Sequence, residues 1–391
     1  MLDDLPSYSK TFDLTQGMTQ SFSFAYAISY PHPLLKATLS QPAIAASAEK
    51  RLANKSFKQL LDDSAAKVNQ FWKNSDIELT GDDALAKGIR FNLFHLYQAA
   101  GGDGMTSIPA KGLTGPGYEG HFFWDAEMFM LPFFTYTEPQ MARQLLLYRY
   151  HTLPQAQHRA REMGVHNGVM FPWRTINGEE SSSYYPAGTA QVHINADIAY
   201  AIDTYVRVTG DTDFLMDYGY EIIVKTARFW LAYGHWATDD AHAGKFVIND
   251  VTGPDEYTAM VSNNYFTNRM AQNNLSIAVK YFNQIKHSHP EKLVELNVTD
   301  EDIAQFNHAA DEMYLPYDEK LKIKKQDDLS TSKPVWPIKE TPRNLFPLLL
   351  HFHPMTIYHY QVNKQADTVM TDCLFPKDQD EAQLKRDFDN Y

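Results

Sequence analysis

Apolar residues recur at helical spacing along most of this chain. From Ser56 onward they stand three or four positions apart, as on the buried face of an amphipathic helix. The helices predicted in this way are 56–72, 81–100, 124–136, 139–163, 188–209, 213–236, 264–286 and 299–312. Because loops rather than strands separate them, the pattern predicts an all-α array of antiparallel helices.

The first 55 residues have a different pattern. Residues 11–30 alternate between polar and apolar positions, which predicts one or two β-strands. Residues 31–55 contain three prolines and many small residues, a composition typical of a linker. We therefore predict a short β segment within 1–30, a linker over 31–55 and a helical domain over 56–391.

Two helical architectures fit this array, a repeat solenoid and a closed toroid. A solenoid requires a repeat of roughly 34 to 47 residues, and the sequence has no such self-similarity. Polar and aromatic residues instead concentrate in loops at 101–125, 164–193 and 249–268. Loops gathered at one end of a toroid form a funnel-shaped pocket, which indicates a small-molecule ligand.

Charge and composition exclude some classes of partner. The formal net charge of −13 argues against nucleic acid, whose binding requires a basic surface. The chain has neither an apolar run of about 18 residues nor a basic, apolar leader, so we expect no contact with a membrane. Cys373 is the only cysteine, which excludes an internal disulfide and indicates a reducing, cytoplasmic location.

Two adjacent acids provide the first chemical candidate. Asp255 and Glu256 follow Gly253 and Pro254, which end any preceding helix or strand and place the acids on a loop. A loop carboxylate can point into a cleft, and Glu256 is the catalytic candidate. On the local sequence alone, capping of the next helix is the more common role for such acids.

A second stretch has the composition of a sugar pocket. Residues 115–127 join a glycine-rich loop to four aromatic residues, a histidine and acids. The apolar faces of sugars stack on aromatic rings, while their hydroxyl groups bind carboxylates, amides and imidazoles. This stretch therefore favours a carbohydrate ligand.

Six ordered motifs extend the pattern. They lie at 117–125, 148–156, 171–180, 193–197, 253–257 and 363–367. Together they resemble the glycoside hydrolase family of maltose, trehalose and kojibiose phosphorylases, whose catalytic domain is an (α/α)6 barrel. The resemblance runs from about residue 56 to 375.

The resemblance implies roles for five residues in three groups. It places the family's proton donor on Glu256. It also places Trp124 and Asp125 in the sugar pocket, and Lys364 and Gln365 on substrate hydroxyl groups.

Four further residues are weaker candidates for the pocket. Trp173 and Arg174 either line it or, for Trp173, serve as a core aromatic residue. His121 and His193 either donate hydrogen bonds to a sugar or have only structural roles. His235, His242, Asp239 and Asp240 share no helical ligand spacing, so we expect no metal.

The resemblance also implies the reaction. It is the inverting phosphorolysis of an α-glucosyl disaccharide (maltose, trehalose, kojibiose or nigerose) to β-glucose 1-phosphate plus glucose or a glucose derivative. Phosphate is the co-substrate and attacks in place of an activated water, so one acid suffices. That acid must be protonated before the reaction, which Asp255 or the bound phosphate would favour. Relatives of this family are expected to be homodimers.

The sequence also departs from the family pattern. The β segment within 1–30 is interpreted as a remnant of an N-terminal β-sandwich, and the barrel as incomplete at its C-terminal end. The family's phosphate-binding loop has no counterpart here, so impaired activity is expected. Two alternatives stay open. One is a trehalase-like or glucoamylase-like hydrolase, with Glu179, Glu180 or Asp125 activating water. The other is a catalytically inactive sugar-binding remnant.

Overall fold

The structure is a computed structural model that describes residues 11–20, 34, 41–52, 55–182 and 186–391. The chain divides into two compact units, Met1–Lys73 and Asn74–Tyr391. This boundary lies 18 residues beyond the predicted start of the helical domain at 56, counted as 74 minus 56.

The first unit contains helix α1 (Gln41–Leu52) and most of helix α2 (Phe57–Ser75). Helix α1 lies within 31–55, so the range predicted to be a linker is in part helical. Residues 11–20, half of the predicted strand region, contain no strand. The other half, 21–30, lies outside the described residues.

The second unit is built mainly of helices. They are α3 (Asp83–Ala99), α4 (Leu131–Thr137), α5 (Pro139–His151), α6 (Leu153–Glu162), α7 (Pro186–Thr189), α8 (Ile194–Thr209), α9 (Thr212–Phe214), α10 (Tyr220–Tyr233), α11 (Tyr265–Ser288), α12 (Pro290–Glu295), α13 (Asp300–Asp311), α14 (Pro354–Ile357), α15 (Asp367–Leu374) and α16 (Glu381–Asn390). Two π-helical turns, Ala126–Met130 and Leu215–Gly219, lead into α4 and α10. Two short hairpins pair β1 (His235–Trp236) with β2 (Phe246–Val247) and β3 (Tyr317–Asp318) with β4 (Ile323–Lys324).

The predicted helices correspond to observed ones, with differences that proline and glycine explain in part. The single helix predicted over 139–163 is two helices, α5 and α6, joined at Thr152. Pro154 cannot donate an N–H to the preceding turn, so a new helix starts there. The helix predicted from 188 begins only at Ile194, and it ends at Gly210, whose φ of 70° suits glycine.

The sequence pattern missed the elements beyond residue 312. Helices α14, α15 and α16 lie there, and so does the β3–β4 hairpin. These elements are short, at four, eight and ten residues for the helices, so they offer few turns in which periodicity can be recognised.

Local hydrogen bonds fix the starts of the long helices. The side chain of Asn264 accepts from the N–H of Thr267 at 2.9 Å and caps α11. Thr299 and Asp302 form a reciprocal capping box at the start of α13. Such caps satisfy backbone donors that the first helical turn leaves free.

Helix α11 is the centre of the second unit. It packs against α8, α10, α13 and α15. Trp230 of α10 donates to the side chain of Asn274 at 2.9 Å, and Tyr281 donates to Asp203 of α8 at the same distance. These buried hydrogen bonds lock α11 to two neighbours and give the loops at its N-terminal end a rigid base.

A smaller apolar cluster lies beside the loop that carries Glu256. Its buried members are Tyr257, Trp336, Leu348 and Ile357. The hydroxyl group of Tyr257 accepts from the N–H of Leu348 at 2.8 Å, which ties the acid loop to the segment after β4. Among the helices that the structure describes, none is long and apolar enough to cross a membrane.

Candidate active site

The two adjacent acids lie on a closed loop. Val251 and Val261 pair in antiparallel fashion, with N–H to oxygen distances of 3.0 and 2.8 Å, and close the loop at its base. The N–H of Thr252 donates to the carbonyl of Ala190 at 3.0 Å, which joins this loop to the one before α8. The backbone around Asp255 and Glu256 is therefore held from two sides.

Glu256 forms an ion pair with Lys364. The ammonium group of Lys364 donates to Oε2 of Glu256, although 108 positions separate the two residues in the sequence. The Glu256 side chain is 23% exposed and that of Lys364 is 40% exposed, so the pair borders open space rather than the core. Two residues that the resemblance assigned to different roles are thus in direct contact.

Asp255 has the opposite environment. Its side chain is buried, and its carboxylate accepts hydrogen bonds from surrounding main-chain and side-chain donors. Burial raises the pKa of Asp255 to about 6, against the lowering effect of these donors. Of the two acids, only Glu256 faces the cavity described below.

Trp124 and Asp125 directly precede the first π-helical turn, Ala126–Met130. Turns of this kind are frequent at functional sites because they redirect side chains. Trp124 is 6% exposed, while the side chain of Asp125 is open to water on one side. Protein around the carboxyl group raises the pKa of Asp125, the charges of Glu127 and Glu256 raise it further, and Lys364 lowers it. The two acids at the cavity, Asp125 and Glu256, therefore interact electrostatically.

The buried ring of His193 packs against the indole ring of Trp124. The two rings meet edge to face with 4.9 Å between their centroids. Nδ1 of His193 lies 2.6 Å from Oδ2 of Asp197, and both side chains are fully buried. Burial raises the pKa of Asp197, against the lowering effect of His193. The structure thus places His193 beneath the indole and away from the cavity.

A buried ion pair supports the same wall. Arg149 of α5 donates two hydrogen bonds of 2.7 Å to the carboxylate of Glu127, in the bidentate geometry that guanidinium groups favour. Glu127 lies inside the π-helical turn, so this pair fixes the segment that carries Trp124 and Asp125.

The loop over 171–182 is held by its own carboxylate. Glu180 accepts from the main-chain N–H groups of Trp173 at 2.8 Å, Arg174 at 3.2 Å and Ser182 at 3.0 Å. The side chain of Arg174 pairs with Glu119 and lies 3.3 Å from Nδ1 of His121. Arg174 and His121 are therefore brought together, but outside the cavity.

These loops surround a cavity of about 920 Å³. This volume lies within the range of small-molecule sites. The cavity walls combine aromatic rings with charged and amide side chains, as a sugar site requires. Its lining residues are Ala110, Lys111, Tyr118, Phe123, Trp124, Asp125, Phe129, Trp173, Gln191, Pro254, Glu256, Lys364, Gln365, Ala366, Asp367, Val369, Met370 and Cys373.

Comparison with known families identifies this arrangement. Residues 90–391 match the model of the glycosyl hydrolase family 65 central catalytic domain. The chain belongs to glycosyl hydrolase family 65. The predicted family and the predicted all-α barrel class are thereby confirmed.

The relatives of this family-65 chain include named phosphorylases. An α,α-trehalose phosphorylase of Geobacillus stearothermophilus is 50% identical over 345 residues, which cover 87% of this chain and 44% of the relative. A kojibiose phosphorylase of Halothermothrix orenii is 36% identical over 84% of this chain and 44% of its own length.

A solved structure shares the fold. It is described as a putative kojibiose phosphorylase from the human microbiome and superposes with a TM-score of 0.82 at 32% identity, over 90% of this chain and 46% of that one. The family-65 chain thus spans about half the length of the relatives that it matches.

The cavity brings together six of the nine predicted site residues. Glu256, Trp124, Asp125, Lys364, Gln365 and Trp173 line it. His121, Arg174 and His193 do not, so this structure provides no geometric support for direct sugar contacts by these three. Their predicted contact with sugar stays a prediction.

The sequence analysis did not single out Gln191. This residue lines the cavity, is 2% exposed and donates from Nε2 to the carbonyl of Ala187 at 3.3 Å. Among the described residues, its Oε1 has no hydrogen-bond partner. A buried amide oxygen at a cavity wall is an acceptor available to a ligand hydroxyl group. The only feature of the sequence that could have pointed to Gln191 is its position two residues before the motif at 193–197.

Proposed function

We propose that this chain carries the sugar site of a disaccharide phosphorylase. Glu256 donates a proton to the glycosidic oxygen, and inorganic phosphate attacks the opposite face of the glucosyl ring. The observation that supports this proposal is the cavity in which Glu256, Lys364, Trp124 and Asp125 face the same space. We propose α,α-trehalose as the first substrate to test, because the relatives with 50% and 48% identity are trehalose phosphorylases.

Each cavity side chain has a role that its chemistry permits. The ring of Trp124 offers an apolar face to the sugar, and Gln191 offers an acceptor to a hydroxyl group. Lys364 can bond hydroxyl groups once it releases Glu256. The proposed reaction uses no metal and no organic cofactor, because phosphate itself is the nucleophile.

The cavity contains two cations, Lys111 and Lys364, among its lining residues. Either could face the phosphate. Arg174 and His193 are less suited to that role, since Arg174 is paired with Glu119 and His193 is fully buried. We therefore expect phosphate to be poorly positioned in this chain. Positioning of the reactants accounts for a large share of the activation barrier of a two-substrate reaction.

A hydrolase is the alternative reaction, and it needs a second carboxylate to activate water. Of its three candidates, Asp125 lines the cavity, while Glu179 is exposed elsewhere and Glu180 is occupied by three main-chain donors. Asp125 is thus the base that a hydrolytic reaction would require.

Phosphate dependence separates these proposals. We expect the chain to bind trehalose in calorimetric titration, and any cleavage to require phosphate and to release β-glucose 1-phosphate. Equal cleavage in phosphate-free buffer would establish the hydrolase. Sugar binding with no cleavage in either buffer would identify an inactive sugar-binding form. No binding of trehalose, kojibiose, maltose or nigerose would contradict the sugar site itself.

Location and assembly also belong to this proposal. We infer a cytoplasmic location from the single cysteine of the sequence, and a homodimeric state for the longer relatives. Size-exclusion chromatography tests the second inference.

A further inference from the structure

Asp255 is the most heavily hydrogen-bonded carboxylate next to the cavity, and the proposed reaction does not use it. Its Oδ1 accepts from the main-chain N–H groups of Lys364 at 2.9 Å, Tyr257 at 3.1 Å and Gln365 at 3.4 Å. Its Oδ2 accepts from Nε2 of Gln326 at 2.9 Å. All of these partners are donors.

A second buried acid completes the arrangement. Asp367, at the start of α15, accepts from the main-chain N–H of Asp255 at 2.9 Å and from Nδ2 of Asn264 at 2.8 Å. Gln326 spans the pair, because its Oε1 also accepts from the N–H of Asp367 at 3.4 Å. The acid loop, the start of α11 and the segment 364–367 are thus joined by hydrogen bonds that each involve at least one side chain.

The contacts have a direct consequence for the cavity. The carboxylate of Asp255 holds the backbone of Lys364 and Gln365, and the side chain of Lys364 reaches back to Glu256. The two contacts involve neighbouring residues of the acid loop: Asp255 holds the main chain of Lys364, and Glu256 accepts from its side chain. The distance between the acid loop and Lys364 is therefore set by Asp255 and not by the exposed ion pair, which would be weak by itself.

We propose that Asp255 is a positioning residue that places Lys364 against Glu256 by holding the main chain of residues 364 and 365. This inference rests on the proposed function, since it assigns Lys364 to the sugar site. Glu256 then has a defined cationic partner at the cavity wall, and Lys364 has a defined position from which to reach a sugar hydroxyl group.

Lysine labelling tests the position of Lys364 without any sugar. In Asp255→Asn, the neutral amide keeps one acceptor oxygen for the main-chain N–H groups but turns its NH2 group toward Nε2 of Gln326, also a donor, so the hold on segment 364–365 should loosen. We expect acetylation of Lys364, followed by mass spectrometry, to become about fivefold faster than in the unaltered chain. Lys111, which lines the same cavity, is the internal reference and should react at an unchanged rate. Unchanged labelling of Lys364 would overturn the proposal, as would an equal increase at Lys111.

Asp372→Asn is the matched control. Asp372 is also buried and lies on α15, the helix that begins at Asp367. It accepts a hydrogen bond from Lys324 and makes none to the cavity segment 364–365. It should lower stability and leave Lys364 labelling unchanged; accelerated labelling in this control would count against a specific role for Asp255. If Asp255→Asn does not fold, Gln326→Met removes one donor from the same carboxylate. That variant should give a smaller increase in Lys364 labelling, and no increase would contradict the proposal.

A double-mutant cycle tests the link to sugar binding. Trehalose titrations of Asp255→Asn, Lys364→Met and the double variant should show about tenfold weaker binding in each single variant. The double variant should bind no more weakly than Lys364→Met alone, because Asp255 acts through Lys364. Multiplied losses would overturn this part of the inference. If the unaltered chain binds no sugar, the proposed function fails, and the labelling experiment still decides the role of Asp255.

Discussion

Lys364 donates a hydrogen bond to Glu256, the carboxylate that the sequence indicates as the proton donor. The contact joins two segments 108 positions apart and lies at the wall of the cavity. A carboxylate held in this way has to release the ammonium group and take up a proton before it can protonate a glycosidic oxygen. Sugar binding in the proposed reaction is therefore expected to open the ion pair.

Glu256→Gln should abolish turnover and leave trehalose binding nearly intact. The amide cannot donate a catalytic proton, but it preserves the shape of the cavity. Loss of a general acid typically reduces a rate by about 10² to 10⁴. Release of glucose 1-phosphate measures the rate and calorimetry measures binding. Glu179→Gln, outside the cavity, is the control with no expected change. A variant that retains a tenth of the activity would assign the proton donor to another residue.

Trp124→Ala should weaken binding of the disaccharide and lower the stability of the fold. The ring lines the cavity, so we expect a loss of roughly 2–4 kcal/mol in binding and rate together. It also packs on His193 and Phe266, and truncation of a buried Trp typically costs about 3–5 kcal/mol of stability. Calorimetry and thermal denaturation separate the two effects. Unchanged sugar affinity with lower stability would make Trp124 a core residue only.

The helices and much of this cavity wall were predicted from two different kinds of sequence evidence. Helical periodicity reflects burial on one face, and it is visible wherever a helix has several turns, as in α8 and α11. Trp124, Asp125 and Glu256 were found because resemblance to a family marks them. The pairing of Lys364 with Glu256 could not be predicted in this way, because it depends on the path of the chain between 256 and 364.

Gln191→Leu should weaken trehalose binding by about tenfold and lower stability only modestly. Oε1 of Gln191 has no partner among the described residues, so the substitution removes an acceptor that only a ligand would use. Its Nε2 also donates to the carbonyl of Ala187 at 3.3 Å, and loss of that bond should lower stability by about 1 kcal/mol. Calorimetry and thermal denaturation are the measurements.

Gln272→Leu is the contrasting control for this prediction. Gln272 donates to the carbonyl of Ala310 at 2.8 Å, away from the cavity. Its replacement should lower stability by about 1 kcal/mol and leave sugar affinity unchanged. Equal affinity in Gln191→Leu and the unaltered chain would remove Gln191 from the site.

Stability should increase as the pH is lowered from 7 to 5, in part because of Asp255. Burial raises its pKa from the usual value near 4 to about 6 in the folded chain. Below about pH 4 both the folded and the unfolded states hold the proton, so this carboxyl group then has no effect. Between about pH 4 and 6 only the folded state holds it, so stability falls as the pH rises and stays low above 6. The full effect is on the order of 3 kcal/mol.

Thermal denaturation at several pH values measures this effect. Asp255→Asn should flatten the rise between pH 7 and 5, although Asp367 contributes in the same direction because its pKa is also raised by burial and by Asp255. Asp318→Asn is the control, since Asp318 is only half-buried and its pKa is lowered by the main-chain N–H of Leu321. A rise of equal size in Asp255→Asn would show that Asp255 does not titrate in this range.

The sequence also could not predict why Gly253 precedes the two acids. A turn explains any glycine before proline, whereas the structure shows a steric requirement at this position. A Cβ atom on Gly253 would lie 2.2 Å from Oδ2 of Asp367 and 2.4 Å from Nδ2 of Asn264. Both atoms belong to the buried hydrogen-bond network that holds the acid loop. Asp367 lies more than 100 positions further along the sequence, so its proximity to Gly253 depends on the fold.

Gly253→Ala should therefore lower stability by about 1–3 kcal/mol, the typical cost of overpacking, and weaken trehalose binding at the same time. Relief of the clash requires Asp367 or Asn264 to move, which displaces the loop bearing Glu256. Gly88→Ala is the matched control: Gly88 lies in α3 with no atom within 4 Å of an added Cβ, so the substitution should stabilise the chain by about 0.5–1 kcal/mol and leave binding unchanged. Thermal denaturation and calorimetry compare the two variants. If Gly253→Ala were as stable as the unaltered chain and bound trehalose equally well, the acid loop would have room that this structure does not show, and the close packing of Gly253 against Asp367 would have no role in holding Glu256.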